Sequence, residues 1–313
     1  MTSLILLLFL GLPQIPYLKS CLGLVGTIAN WNQIQWKQWL YIWSPLILLF
    51  WIGGIRANNS QIAFLGHPIL GCGILDWLAI SLLCSCKQKF EIEKPTKITG
   101  ILAIALKLAG FKFGHPGEEA IAFFLLGEAS NNRIFRGIFW GCAAAYGNRS
   151  IFLGTIAWLI FCSKLPRWQK IIGGIGAGIA GGLFTWQRIT AGYNWSSDRL
   201  KFWHWAIKLI EPLGVGIHNP IYADTAQLGT TASLHNIFLD VAYGGGWLGA
   251  IAFLWILWNY RCKFLIPGTI ALANWYFCSS NFWIFWLVAK ERSHPNNHQC
   301  IPKNKYHNYS QIQ

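Results

Sequence analysis

The chain is short of charge, and shortest of acid. Only 11 of its 313 residues are Asp or Glu, and charged residues of both signs make up 12%, about half the share of an ordinary soluble domain. That excludes a soluble enzyme, whose surface needs more polar side chains than this to stay dispersed. Methionine occurs once, and the nine cysteines include no CxxC, so neither a zinc site of paired cysteines nor a disulfide framework is indicated. Cys72, Cys84, Cys142, Cys162 and Cys278 fall inside apolar segments, where a thiol behaves as a small hydrophobe. There is no internal repeat and, in the segments expected to face outward, no DxD-type acidic pair.

What the chain has instead is apolar mass. Hydrophobic residues make up 54%, with 19 Trp, 20 Phe and 10 Tyr and a mean hydropathy of +0.39. These values describe an all-α polytopic membrane protein with about 9–11 transmembrane helices at about 20 residues per span. Uncharged or nearly uncharged runs are centred on residues 3–29, 39–55, 62–84, 98–113, 118–129, 134–147, 151–162, 171–187, 237–258 and 264–289. No basic residue precedes the first Leu-rich run, so a secretory signal peptide lacks its n-region. The run 264–289 is broken at Cys278-Ser279-Ser280-Asn281, and a bent hairpin accommodates its length. Residues 1–289 therefore read as one integral membrane domain and 290–313 as a polar, basic C-terminal tail.

The net charge of +14 raises the question of a nucleic-acid partner. Such proteins cluster their basic residues on one face or in a tail, whereas here the 25 Lys and Arg punctuate the apolar runs. Nucleic acid is set aside, and topology takes its place. Placing KLPRWQK (164–170) in the cytoplasm puts Lys37, the lysines of 87–97, Arg133, Arg136, Arg261, Lys263 and the tail on the same side, as the positive-inside rule requires. Arg56, Lys112, Arg149, Arg188, Arg199, Lys201 and Lys208 then face outward, Lys107 and Asp76 lie within spans, and residues 188–236 form one larger extracytoplasmic loop. Glycines 174, 178 and 182 make two overlapping GxxxG steps, expected to serve as a helix-packing face.

The outward arginines have no topological purpose and so attract a chemical one. Arg149 sits in the tight connection NRS (148–150), and Arg199 in WSSDR at the start of a short amphipathic loop helix. Ser196 or Ser197 would cap that helix, with Leu200, Trp203, Ile207 and Ile210 on its apolar face before Glu211-Pro212 ends it. A guanidinium is a permanently charged fork suited to phosphate, and two that converge grip a diphosphate. His235-Asn236 stands where the loop re-enters the membrane, and a neutral imidazole there can take or steer a hydroxyl proton. His218 repeats the HN dipeptide and His204 lies on the loop helix, so the residues alone leave three histidines open. Glu118 and Glu119, after the GHPG loop, are a second choice of base, though a solvated helix start accounts for them as well.

An arginine opening an aromatic-rich helix, a PLGVG turn, a polar stretch, then HN, a few apolar residues and GGGWLG resemble the signature region of the O-antigen ligase and polymerase superfamily, over roughly 60 residues. Upstream, Tyr146-Gly147-Asn148-Arg149-Ser150-Ile151 resembles that family's Ser-Arg turn, with Asn in place of Ser. The resemblance implies a metal-independent, inverting glycosyltransferase of the bacterial plasma (inner) membrane that needs no cofactor. Its donor would be an undecaprenyl-diphosphate-linked oligosaccharide and its acceptor a glycan or lipid, with membrane lipid and a chain-length regulator as further partners. Arg149 and Arg199 match the arginines that engage the diphosphate, and His235 the histidine that activates or orients the acceptor. Arg188 and Asn236 join them as substrate-binding residues. Family members are generally longer, with up to a dozen spans. A transporter or flippase for the same lipid-linked glycan is the alternative, and a non-catalytic scaffold a third reading; Asp76 and Lys107 would be the mid-span charges a transporter uses.

Overall fold

The computed structural model describes residues 18–67, 71–87, 92–110, 116–192, 199–217, 221–222, 230–231, 234, 236–260, 265–273 and 279–293. The described chain is mostly helical. In order it forms α1 (Leu18–Ala29), a 3-10 turn (Trp31–Gln33), α2 (Trp36–Ile42), α3 (Ser44–Arg56), α4 (Ser60–Leu65), α5 (Ile74–Cys84), α6 (Glu93–Leu108), α7 (Pro116–Ala129) and α8 (Arg133–Ala145). Then follow α9 (Arg149–Phe161), α10 (Arg167–Thr190), α11 (Arg199–Leu209), α12 (Ile237–Tyr260), α13 (Leu265–Ala273) and α14 (Ser279–Ser293). Among the described residues, extended structure comprises two antiparallel ladders of two-residue strands, Gly66–His67 with Gly71–Cys72 and Ile221–Tyr222 with Thr230–Thr231, and an isolated antiparallel bridge between Ile34 and Cys86.

Helices α6 to α10 run up and down against one another. Tyr146 reaches Glu119 across α7 and α8, while Gly127 near the other end of α7 lies under the Trp140 ring. Phe152 and Leu159 of α9 meet Gly181 and Gly173 of α10 in antiparallel register, and the Phe152 and Phe184 rings stack at 5.5 Å. The turn between α7 and α8 is closed by polar capping. Asn132 accepts from the amides of Ile134 and Phe135, and Arg136 donates to Gly127 O and Ser130 O at 3.3 and 2.7 Å, satisfying carbonyls that the end of α7 would leave orphaned.

Helices α3 and α12 form a second antiparallel pair. Phe50 abuts Gly245, and Trp43 Nε1 donates to Tyr260 Oη at 3.1 Å. Trp43, Trp77, Phe253, Tyr260 and Trp286 meet edge to face with centroids 4.8–6.3 Å apart, the geometry favoured by ring quadrupoles. Helices α13 and α14 fold back on each other, with the Phe285 ring 3.0 Å from where a Cβ of Gly268 would stand. The end of α14 then reaches the end of α5, where Lys290 Nζ donates to Cys86 O at 2.6 Å. This contact sets Lys290 beside the segment that carries Lys87. Cys278, at the break in the run 264–289, lies outside the described residues, as do residues 3–17 of the first run and the tail beyond Ser293.

By length and composition, α12 is the one described helix able to cross a membrane alone; α2 and α3, bent by 60° at their junction, qualify if taken as one span. Helices α5 and α9 are apolar but have 11 and 13 residues, about 16 and 20 Å at 1.5 Å per residue, short of a hydrocarbon core of about 30 Å.

Three expectations are corrected. No heavy atom of the described residues outside the helix comes within 4 Å of where a Cβ at Gly174, Gly178 or Gly182 would sit; among the described residues the GxxxG stripe faces outward, and α10 packs through Gly173 and Gly181 instead, because α9 offers Leu159 and Phe152 to that side. On α11 the inward residues are Trp203, Ala206 and Ile210, while Leu200 and Ile207 are exposed. Asp76 is no mid-span charge: its carboxylate accepts from Gly73 N at 3.1 Å and caps the start of α5.

Candidate active site

At one end of the α6–α10 bundle the C-termini of α6, α8 and α10 meet the N-termini of α7 and α9, and the turn between α8 and α9 is built in detail there. Gly147 takes φ +63°, which a side chain resists, and lies against the Phe184 ring of α10. Asn148 Oδ1 accepts from Ser150 N at 2.9 Å and so caps α9, while its Nδ2 donates to Gly117 O at 3.2 Å. Arg149 is then the first residue of α9, half-buried. Arg188 is one helical turn beyond Phe184; burial first, and the Arg188 charge second, hold the Arg149 guanidinium below its ordinary value. The Gly147–Phe184 contact thus brings together two like charges, an arrangement that favours an anion between them.

The hydrophilic stretch 188–236 places Arg188 in the loop. Arg188 instead belongs to the last turn of α10, because that helix runs to Thr190. Beneath the turn, the Glu119 carboxylate is buried and accepts from Lys107 Nζ at 2.6 Å and from the Tyr146 hydroxyl. Lys107 Nζ also lies 5.4 Å from the centre of the Tyr146 ring. Glu119 is therefore not part of a solvated helix start, and Lys107 is not mid-span but in the last turn of α6. The Glu118 side chain lies outside the described residues.

A second cluster surrounds the entry to α12. Helix α11 begins at Arg199, as the WSSDR segment suggested, although the side chain of Arg199 and residues Ser196 and Ser197 lie outside the described residues. One turn along α11, Trp203 Nε1 donates to Leu234 O at 2.7 Å. Leu234 N donates to Asp240 Oδ1 at 2.8 Å, and Asn236 Oδ1 accepts from Phe238 N and Leu239 N at 3.0 and 3.2 Å. The neighbours of His235 are thus fixed on both sides and joined to the Arg199 helix; His235 and His218 lie outside the described residues. Asn236 serves the backbone as a helix cap, a role that competes with substrate binding.

The GGGWLG motif does not open the helix, which starts at Ile237, but interrupts it. Gly246 adopts φ 75°, ψ −179°, a region open essentially to glycine alone. The segment 211–216 lies in this break: Val215 N and Gly216 N donate to Tyr243 O and Gly244 O, both at 3.0 Å, and Trp247 N donates to Glu211 O at 3.3 Å. A Cβ on Gly214 would come within 2.5 Å of Gly244 O. From α3, Arg56 pairs with Glu211 and donates to Gly214 O at 3.1 Å. The PLGVG and GGG motifs are therefore two sides of one backbone contact. The chain matches no protein-family model, no curated protein and no solved structure.

Of the five expected site residues, the described contacts gather four into two groups, Arg149 with Arg188 and the Arg199 helix with Asn236; His235 lies outside the described residues. No group of three or more His, Cys, Asp or Glu among the described residues is arranged to hold a metal. Arg56, Glu211 and Tyr146 are not among the site residues to which the sequence points. Arg56 and Glu211 stand 155 residues apart, beyond any local pattern, whereas Lys107, a charge set in an apolar run, did carry a signal of burial or pairing.

Proposed function

We propose that the protein is a multi-pass enzyme of the bacterial plasma membrane that transfers sugar from an undecaprenyl-diphosphate-linked oligosaccharide to a glycan or lipid acceptor on the outer leaflet. The observation that carries this reading is the Gly147–Phe184 contact, which sets the start of α9, with Arg149, against the last turns of α10, with Arg188, at the end of the bundle opposite Lys164, Arg167 and Lys170. Membrane embedding is supported by the outward apolar faces: Ile171, Ile175, Ile179, Leu183 and Trp186 on α10, and Leu248, Ile251, Leu254 and Trp258 on α12, are exposed. Faces of that extent are at home in lipid rather than water.

In the proposed reaction the acceptor hydroxyl attacks the anomeric carbon and a new C–O bond forms as the bond to the diphosphate oxygen breaks. The bonding pair leaves on the diphosphate, whose growing charge Arg149, Arg188 and Arg199 stabilise, an effect enlarged where water is excluded. The hydroxyl proton passes to His235, whose ordinary pKa lies near working pH.

The break at Gly246 favours one competing reading, since transporters bind at interrupted helices. Purified protein in liposomes loaded with undecaprenyl-diphosphate-linked oligosaccharide separates the two. The proposal expects longer glycans and free undecaprenyl diphosphate. Translocation of intact donor with no new glycosidic bond would assign a transporter, and neither event would sink both readings.

A further inference from the structure

Among the described residues, Glu119 is the buried carboxylate at the Arg149 end of the bundle for which the proposed reaction has no use. It accepts from Lys107 and from the Tyr146 hydroxyl and is about 5% exposed, so it is engaged within the protein and turned away from a substrate. Its partners point to a different task. Tyr146 is the residue after α8, its ring stacks on Phe123 of α7 at 6.3 Å, and its hydroxyl is tied to Glu119. Three residues later stands Arg149. The connection between them is held at three points: Tyr146 to Glu119, Asn148 to Gly117 O, and Gly147 against Phe184, one turn before Arg188.

We infer that Lys107, Glu119 and Tyr146 are positioning residues that hold the Tyr146–Ser150 turn in register with α10, so that Arg149 and Arg188 present one diphosphate site rather than two separate charges. This rests on the reading of the arginine pair as a diphosphate site. Lys107 neutralises the buried carboxylate, which would otherwise carry a large desolvation cost, and shields the anion site from a negative charge close by. The unit touches no reacting atom; it acts through the backbone from which Arg149 projects.

The test uses the full chain in lipid nanodiscs with farnesyl diphosphate as the probe and farnesol as its uncharged control. Arg149→Ala and Arg188→Ala should each weaken probe binding about tenfold or more, as loss of a charge-assisted contact does. Tyr146→Phe, which keeps the ring on Phe123, and Glu119→Gln should each weaken it about threefold to tenfold, and the double variant no further than the worse single one, the non-additivity of groups acting as one unit. Lys107→Arg should restore what Lys107→Met loses, a rescue that packing alone does not provide. Wild-type binding in Tyr146→Phe and Glu119→Gln, with binding lost in the arginine variants, would overturn the positioning role and leave the diphosphate site standing. Wild-type binding in the arginine variants would overturn the site, and the positioning role with it. A variant with an unchanged melting temperature and weakened binding supports the inference; one that weakens binding only in proportion to its loss of folded protein counts against it.

Discussion

Replacing Gly246 with alanine tests the way the α12 break is built. The backbone there sits at φ 75°, ψ −179°, a region that costs a residue with a Cβ about 1–3 kcal/mol. The added methyl would overlap Pro212 O and lie 2.6 Å from Leu213 N, so segment 211–216 must retreat. Retreat surrenders the bond from Trp247 N to Glu211 O at 3.3 Å and the longer one from Leu248 N to Pro212 O at 3.5 Å, each worth about 1 kcal/mol or less net. Together the terms come to about 1–5 kcal/mol, whose upper end lies in the range reserved for severe single substitutions. Gly178→Ala is the matched control: no heavy atom of the described residues outside the helix lies within 4 Å of its Cβ position, and mid-helix alanine is favoured over glycine by about 1 kcal/mol. Thermal and denaturant unfolding of the purified chain in detergent should show Gly246→Ala destabilised and Gly178→Ala equal to or above wild type. Equal stability of Gly246→Ala and wild type would refute the docking of 211–216 in the break.

Other outcomes follow from the same contacts. Burial acts to raise the Glu93 carboxyl, but hydrogen bonds from Lys97 and from the backbone amides of Asn131 and Asn132 outweigh it and hold the group below its ordinary value of 4.5. Its contribution is therefore complete above that value and disappears as pH falls through the lowered pKa, so Glu93→Gln should cost about 1 kcal/mol at neutral pH and nothing in strong acid. A constant difference across the acid range would contradict this. The Arg56–Glu211 pair is roughly half exposed on both sides, so Arg56→Ala should cost about 1 kcal/mol or less at low salt, with the ion-pair part of that cost lost in high salt; a large, salt-independent cost would show the pair to be misjudged. In intact cells a cysteine placed at Gly192 should react with an impermeant thiol reagent, and one at Asn131 only after lysis. The reverse pattern would invert the orientation.

Legibility in the sequence depended on the range over which each feature is encoded. Charge-free runs marked the helices, and NRS marked the α8–α9 turn, because one side chain, Asn148, caps its own neighbour. The start of α11 at Arg199 was equally local. The faces of helices were not, since exposure depends on what packs alongside: the glycines of α10 repeat every fourth residue yet point away from α9. Nor did the GGG motif announce whether it begins a helix or breaks one; that is decided by the 211–216 segment lodged against it. The approach of the Arg149 turn to the Arg188 end of α10 was out of reach for the same reason, being set by the contact of Gly147, in the α8–α9 turn, with Phe184 of α10.

The central claim is that Arg149 and Arg188 together stabilise a departing diphosphate. Its most direct measurement is the rate at which undecaprenyl diphosphate is released from lipid-linked oligosaccharide by wild type, Arg149→Ala, Arg188→Ala and the double variant in proteoliposomes. Each single variant should lose about 10²-fold or more in kcat, as removal of a transition-state donor does, and the double variant less than the product of the two. Release at the wild-type rate from both single variants would contradict the account.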